Sequence, residues 1–147
     1  MRKMMMICFL SLIPVFGCQT GGGGGGSNPI PWTQDVDRMK TDIKFLAKMS
    51  TRIMLANMSV TATDVEQIKL YLLTAKDVLA TSPPVFDNAR KLVPALPQRY
   101  QVYGYGIIDV VERYVEATKL TNDTVIAEII EAGLEGALEA VQELELS

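Results

Sequence analysis

From Val36 to Leu144 apolar residues recur three and four positions apart, the period of helices that turn one face inward. The first helix is expected from Thr33 or Asp35 to Asn57, with Val36, Met39, Ile43, Leu46 and Ile53 on its inner side. A second opens at Thr61, where Thr63-Asp64-Val65-Glu66 fits a capping box, an arrangement in which side chains satisfy the unpaired N–H groups of the first turn. It carries Val65, Ile68, Leu72, Ala75 and Leu79 inward and stops before Pro83-Pro84, whose rings remove the donors a helix needs. Val85 to Val93 is at most a short helix, closed by Pro94. The third long helix should run from Pro97 to Lys119 with Tyr100, Tyr103, Ile107, Val111 and Tyr114 on one side. A fourth, capped by Asn122 or Asp123, should reach Leu144 through Ile126, Ile129, Ile130, Leu134, Leu138 and Val141. No stretch alternates in the two-residue period of a strand with hairpin turns at its ends. The expected fold is all-α: a small bundle of about four helices plus one short helix over residues 33–147.

The chain ahead of the bundle follows a different pattern. Arg2 and Lys3 are followed by thirteen uncharged residues, Met4 to Phe16. A helix of that length spans about 20 Å, short of the roughly 30 Å of a hydrocarbon core. A short positive start and a short apolar run mark a secretory signal rather than a membrane span. The run ends at Val15-Phe16-Gly17-Cys18, which resembles the lipobox of bacterial lipoprotein precursors: an aliphatic residue three before the cut, a small one just before it, and a cysteine after. The resemblance covers residues 1–18 only. It implies a signal peptide over residues 1–17, cleavage between Gly17 and Cys18, and diacylglycerol on the Cys18 thiol, with acylation of the new amine as a further step. Val15 and Gly17 also satisfy a plain secretory cut, which would leave Cys18 as a free thiol. In Gram-negative members an Asp after the cysteine retains the protein at the inner membrane. Gln19 stands here, so the outer membrane, facing the periplasm, is the implied address.

Residues 18–32 then form a linker. Six consecutive glycines, Gly21 to Gly26, cannot hold a regular element, because glycine loses the most backbone freedom on ordering. No strand precedes them and no Lys-Ser or Lys-Thr closes them, so they are not a phosphate-binding loop. From Gln19 to Trp32 such a tether has a typical end-to-end distance of about 20 Å. Trp32 is expected to staple the entry to the first helix or to sit at the level of lipid headgroups.

Composition narrows the chemistry. The chain of 147 residues has no histidine, which removes Ser-His-Asp and Cys-His catalysis and every imidazole metal site. Fourteen Lys and Arg against seventeen Asp and Glu leave a net charge of −3 and no electrostatic case for nucleic acid. Neither a cofactor nor a metal is expected. Cys8 would leave with the signal and Cys18 would be consumed, so the body would hold no thiol.

Two charged stripes and a set of glycines remain. Lys40, Lys44, Lys48 and Arg52 stand four apart on the first helix, and Glu128, Glu131, Glu135 and Glu139 share one face of the fourth. Such runs are expected as solvated faces, with docking of one stripe on the other, within or between molecules, as the alternative. Phe45 and Met49 lie off the centre of the inner face. They indicate either burial between two neighbours or a partner groove bordered by Lys44 and Lys48. Gly104, Gly106, Gly133 and Gly136 each cost about 1 kcal/mol against Ala inside a helix. Together with Ala132 and Ala140 they predict a close crossing of the third and fourth long helices.

These features describe a non-enzymatic lipoprotein of the cell envelope, held by acyl chains on Cys18, whose helical domain binds another envelope protein. The alternatives are a self-associating structural or phage-exclusion lipoprotein, which implies a homo-oligomer, and a carrier of a small apolar ligand. A carboxylate hydrolase is disfavoured, because glutamates along one exposed face share one environment and catalytic pairs need two.

Overall fold

The first turns of three of the four long helices show how local chemistry sets their start. The carboxylate of Asp35 accepts the backbone N–H of Arg38 at 2.9 Å and opens α1, Val36–Leu55. Asn122 Oδ1 accepts from the N–H groups of Thr124 and Val125, at 3.0 and 3.3 Å, and opens α5, Asp123–Glu145. The start of α2, Ala62–Leu79, corrects the expected capping frame. The box is formed by Thr61 and Asp64 rather than Thr63 and Glu66, with Thr61 extended (φ −90°, ψ 164°) and its N–H 2.8 Å from the Asp64 carboxylate. Two short elements follow, α3 (Phe86–Arg90) and a 3-10 turn (Val93–Ala95) built on Pro94. The last to be named, α4, runs from Gln98 to Thr118 and ends on Lys119 in the left-handed conformation (φ 53°). The computed structural model describes residues 35–81 and 83–145. The expected signal peptide (1–17), the Gly17–Cys18 cleavage and acylation site, and the linker (18–32) with Trp32 lie outside them.

The fold is an all-helical bundle of four long helices and one short one, with no strand among the described residues. Cross-helix contacts give its topology. Lys40 meets Glu128, Lys44 meets Glu139 and Arg52 meets Glu143, so α1 and α5 run parallel. Lys69 meets Glu145 and Lys76 meets Glu131, so α2 runs against α5. Thr51 meets Tyr103, and the Tyr114 hydroxyl donates to Met39 O, so α4 runs against α1. Because α2 and α4 descend in the same sense, the segment holding α3 and the 3-10 turn is a return crossover. Arg90 clamps it to α4 through Asp109 at 2.8 Å and through Glu112. The crossover rests on Gly104, where a Cβ would stand 2.9 Å from Leu96 and 3.1 Å from Val93. Tyr71 from α2 donates to the Gly104 carbonyl at 3.0 Å beneath it.

The core is built from Ile43, Leu55, Ile68, Leu72, Tyr100, Tyr103, Ile107, Ile129 and Leu134, all fully buried, each contributing about 1.5–3 kcal/mol of transfer free energy. The inner sides expected for α2 and α4 are observed, except that Tyr114 is only part-buried. That of α1 is not. Leu46 and Ile53 face outward, and the buried positions are Met39, Ile43, Ala47, Thr51 and Leu55. The expected helix crossing is also corrected. Gly136 lies against α1, where a Cβ would stand 2.1 Å from the Lys44 carbonyl oxygen, so the close approach joins α5 to α1 rather than to α4. Small residues on both sides, Ala47 and Thr51 on α1 and Ala132, Gly136 and Ala140 on α5, make it sterically feasible.

Asp64 ties the starts of α2 and α4 together. Hydrogen bonds from the Thr61 hydroxyl, then from Arg99 and the Thr61 N–H, hold its carboxyl well below the usual range. A carboxyl depressed by folding stabilises above its unfolded pKa and loses that effect as pH falls toward its folded value. Asp64→Asn is therefore expected to lower the urea midpoint at pH 7 and to lower it by a clearly smaller margin at pH 2, where part of the ionic contribution has been lost. Urea titrations at the two pH values measure it, and an equal gap at both would remove the ionic role.

Candidate functional site

Where do the charged stripes go? The acidic side of α5 divides between two neighbours. Toward α1, Glu128 meets Lys40 at 3.2 Å, Glu139 meets Lys44 at 2.6 Å and Lys48 at 3.5 Å, and Glu143 meets Lys48 at 2.7 Å and also Arg52. Toward α2, Lys76 bridges Glu131 and Glu135 at 2.7 and 3.2 Å, and Glu145 meets Lys69 at 2.6 Å. The stripes are thus internal braces at the bundle surface, and their expected role as independent solvated faces is corrected.

Their titration follows from these contacts. Lys44 first, then Lys48, draws the Glu139 carboxyl below its ordinary range, and Lys48 followed by Arg52 does the same to Glu143. Glu143 raises Lys48, and Glu131, ahead of Glu135, raises Lys76. In each case the neighbouring opposite charge favours the ionised form of the shifted group. The shifted carboxyls all move downward, whereas a general acid at neutral pH needs one pushed up. No group of three or more metal-ligating side chains occurs among the described residues.

With the basic stripe engaged by α5, the opposite edge of α1 is left outside the bundle. Phe45, Met49 and Ile53 stand on it in steps of four, with Leu46 beside them. Phe45 is 65% exposed, Ile53 55% and Leu46 43%, while Met49 is half-buried. On the adjoining helix Val102 is 59% exposed. It precedes Tyr103, the partner of Thr51, and so lies near the level of Ile53. Scattered exposed apolar residues are ordinary; those on α1 line one face of that single helix.

Of the four residues nominated from sequence, Phe45 and Met49 lie on this strip, while Lys44 and Lys48 border the seam with α5. Ile53 and Leu46 were missed because their spacing fits the inner face equally well. The signal that finds them is the second four-residue series, 45-49-53, out of phase with the buried series 39-43-47-51-55.

No family model matches the chain. No characterised protein and no solved structure shows significant similarity to it either. Its function is therefore argued from the strip, the ion-pair ladder and the amino-terminal motif. Among the described residues no helix is long and apolar enough to cross a membrane.

Proposed function

We propose that this chain is a lipid-anchored protein of the bacterial envelope that acts by docking, without catalysis. Acyl chains on Cys18 fix it to the membrane, with the outer membrane as its address in a Gram-negative host. The glycine linker gives it reach, and the body holds another envelope protein molecule against the outer face of α1.

The observation that carries the docking role is the exposed Phe45-Met49-Ile53 strip on a helix whose other edges are closed by α4 and α5. Such aromatic and methionine side chains supply adaptable apolar contact. The anchor is supported by Val15-Phe16-Gly17-Cys18 and by the charge-free run before it.

Amine-reactive crosslinking in intact cells tests the docking role. The parent chain is expected to give one dominant protein adduct. Phe45→Glu and Ile53→Glu are each expected to reduce it at least tenfold while the melting temperature stays within about 2 °C, as for surface changes that touch no buried partner. An undiminished adduct would place the contact elsewhere.

A further inference from the structure

The outer face of α1 has two properties that bear on its partner. Phe45, Met49 and Ile53 advance four residues per step, forming the kind of ridge that seats between like ridges of another helix in the commonest mode of helix packing. Its rim is close to neutral, because Lys44, Lys48 and Arg52 are engaged by Glu139 and Glu143. A strongly acidic or basic partner would find little to complement there.

Charge borders the strip at Arg38 and Asp42 before it and at Arg52 along it. Asp42, with its side chain 58% exposed, has Arg38 as its ion-pair partner at 3.9 Å, a weak contact. Arg52 gives Nε and Nη2 to Glu143, while its Nη1 turns the other way and lies 4.0 Å from Met49 Sδ. One guanidinium nitrogen therefore borders the apolar strip. The pairs Asp42/Arg52 and Phe45/Met49 share a single midpoint, position 47. If two copies of α1 lie antiparallel about that point, Phe45 of each faces Met49 of the other. The same register sets Asp42 of each beside Arg52 of the other. Phe45 with Met49 and Asp42 with Arg52 thus match under one two-fold operation, as an isologous contact requires, while Ile53 falls opposite Thr41.

We propose that the molecule docked on α1 is a second copy of this chain, paired antiparallel through Phe45 and Met49 and closed at both ends by Asp42 and Arg52. The inference rests on the docking role above and names its partner. The apolar strip is on the order of a few hundred Å², the size of functional patches on single proteins. That area is modest for a dimer formed in solution. Holding both copies in one bilayer on short tethers raises their effective concentration and favours pairing without further contact area.

A photoreactive benzophenone side chain at position 45 of the full chain, irradiated in intact cells, tests the proposal. The expected product has twice the mass of the chain and contains only its peptides. The same group at Leu70, exposed on the outer side of α2, is expected to yield at least tenfold less. Asp42→Arg, which sets like charges at each end, should lower the position-45 yield at least fivefold. Equal self-adducts from positions 45 and 70 would mean collision in the membrane and overturn the pairing. An adduct with a different protein would overturn the second copy while leaving the docking face in place. No adduct at position 45 would remove both.

Discussion

Gly136→Ala is expected to destabilise the bundle by about 2–3 kcal/mol, although alanine is the better helix former by about 1 kcal/mol. The sign is decided by what the new methyl group meets. It would stand 2.1 Å from the Lys44 carbonyl oxygen, 2.8 Å from its carbonyl carbon and 3.0 Å from its Cα. Backbone cannot rotate away as a side chain can, so α1 and α5 must separate along the seam that also carries Lys44–Glu139 and Lys48–Glu143. For a body of this size the loss corresponds to a melting temperature lower by about 10 °C, readable by calorimetry. Gly106→Ala is the control. There the methyl group meets only the Sδ of Met54 at 2.9 Å and its Cε at 3.7 Å, the movable end of a flexible side chain. That variant is expected to stay within about 0.5 kcal/mol of the parent. Equal stability of the two variants would show that the seam is looser than described.

The second large effect concerns the proposed anchor. The parent chain, extracted from membranes, is expected to weigh more than residues 18–147 by a diacylglycerol or more, and to lack residues 1–17. Cys18→Ala removes the only thiol at the proposed cleavage site, so that variant should carry no acyl mass. The physical difference is large. Two chains hold a protein stably at about 0.8 kcal/mol per buried methylene, while a single myristoyl chain gives an association constant of only about 10⁴ M⁻¹. Intact-mass spectrometry with membrane fractionation reads both outcomes. A parent chain without acyl mass would overturn the anchor and leave the bundle and its outer face untouched.

Sequence periodicity alone places all four long helices, the short fifth and the inner faces of α2, α4 and α5. It works because those helices bury bulky residues at a regular spacing. It fails on α1 for a definite reason. The inner positions there include Ala47 and Thr51, too small or too polar to stand out, while Leu46 and Ile53 fit the same period and lie outside. Small residues are needed where α5 approaches closely, so the seam that organises the bundle is the one least visible as hydrophobic pattern. The glycines signalled a close crossing, but spacing along the chain cannot say which helix arrives at them. The capping frame of α2 had the same ambiguity. Thr61 and Thr63 each precede an acidic residue by three, and the choice falls where Arg99, 35 residues onward, reaches Asp64. Phe45 and Met49 were legible as lying off the inner arc, but the pattern fitted burial between two neighbours as well as an outer surface. The exposure of Phe45 decides for the surface. The engagement of Lys44 and Lys48 by α5 stood only as the alternative to solvated faces, since it joins groups about ninety residues apart.

The parallel pairing of α1 with α5 has a consequence for how the protein is made. Contacts such as Lys40–Glu128 and Lys48–Glu139 span 88 and 91 residues, so the seam of α1 with α5 cannot close until α5 has been made, although α4 can already cover Met39 and Thr51. A nascent chain in that condition lacks the close approach of α1 and α5. For the export proposed above, a seam that forms only after α1, α2 and α4 leaves the chain open to translocation.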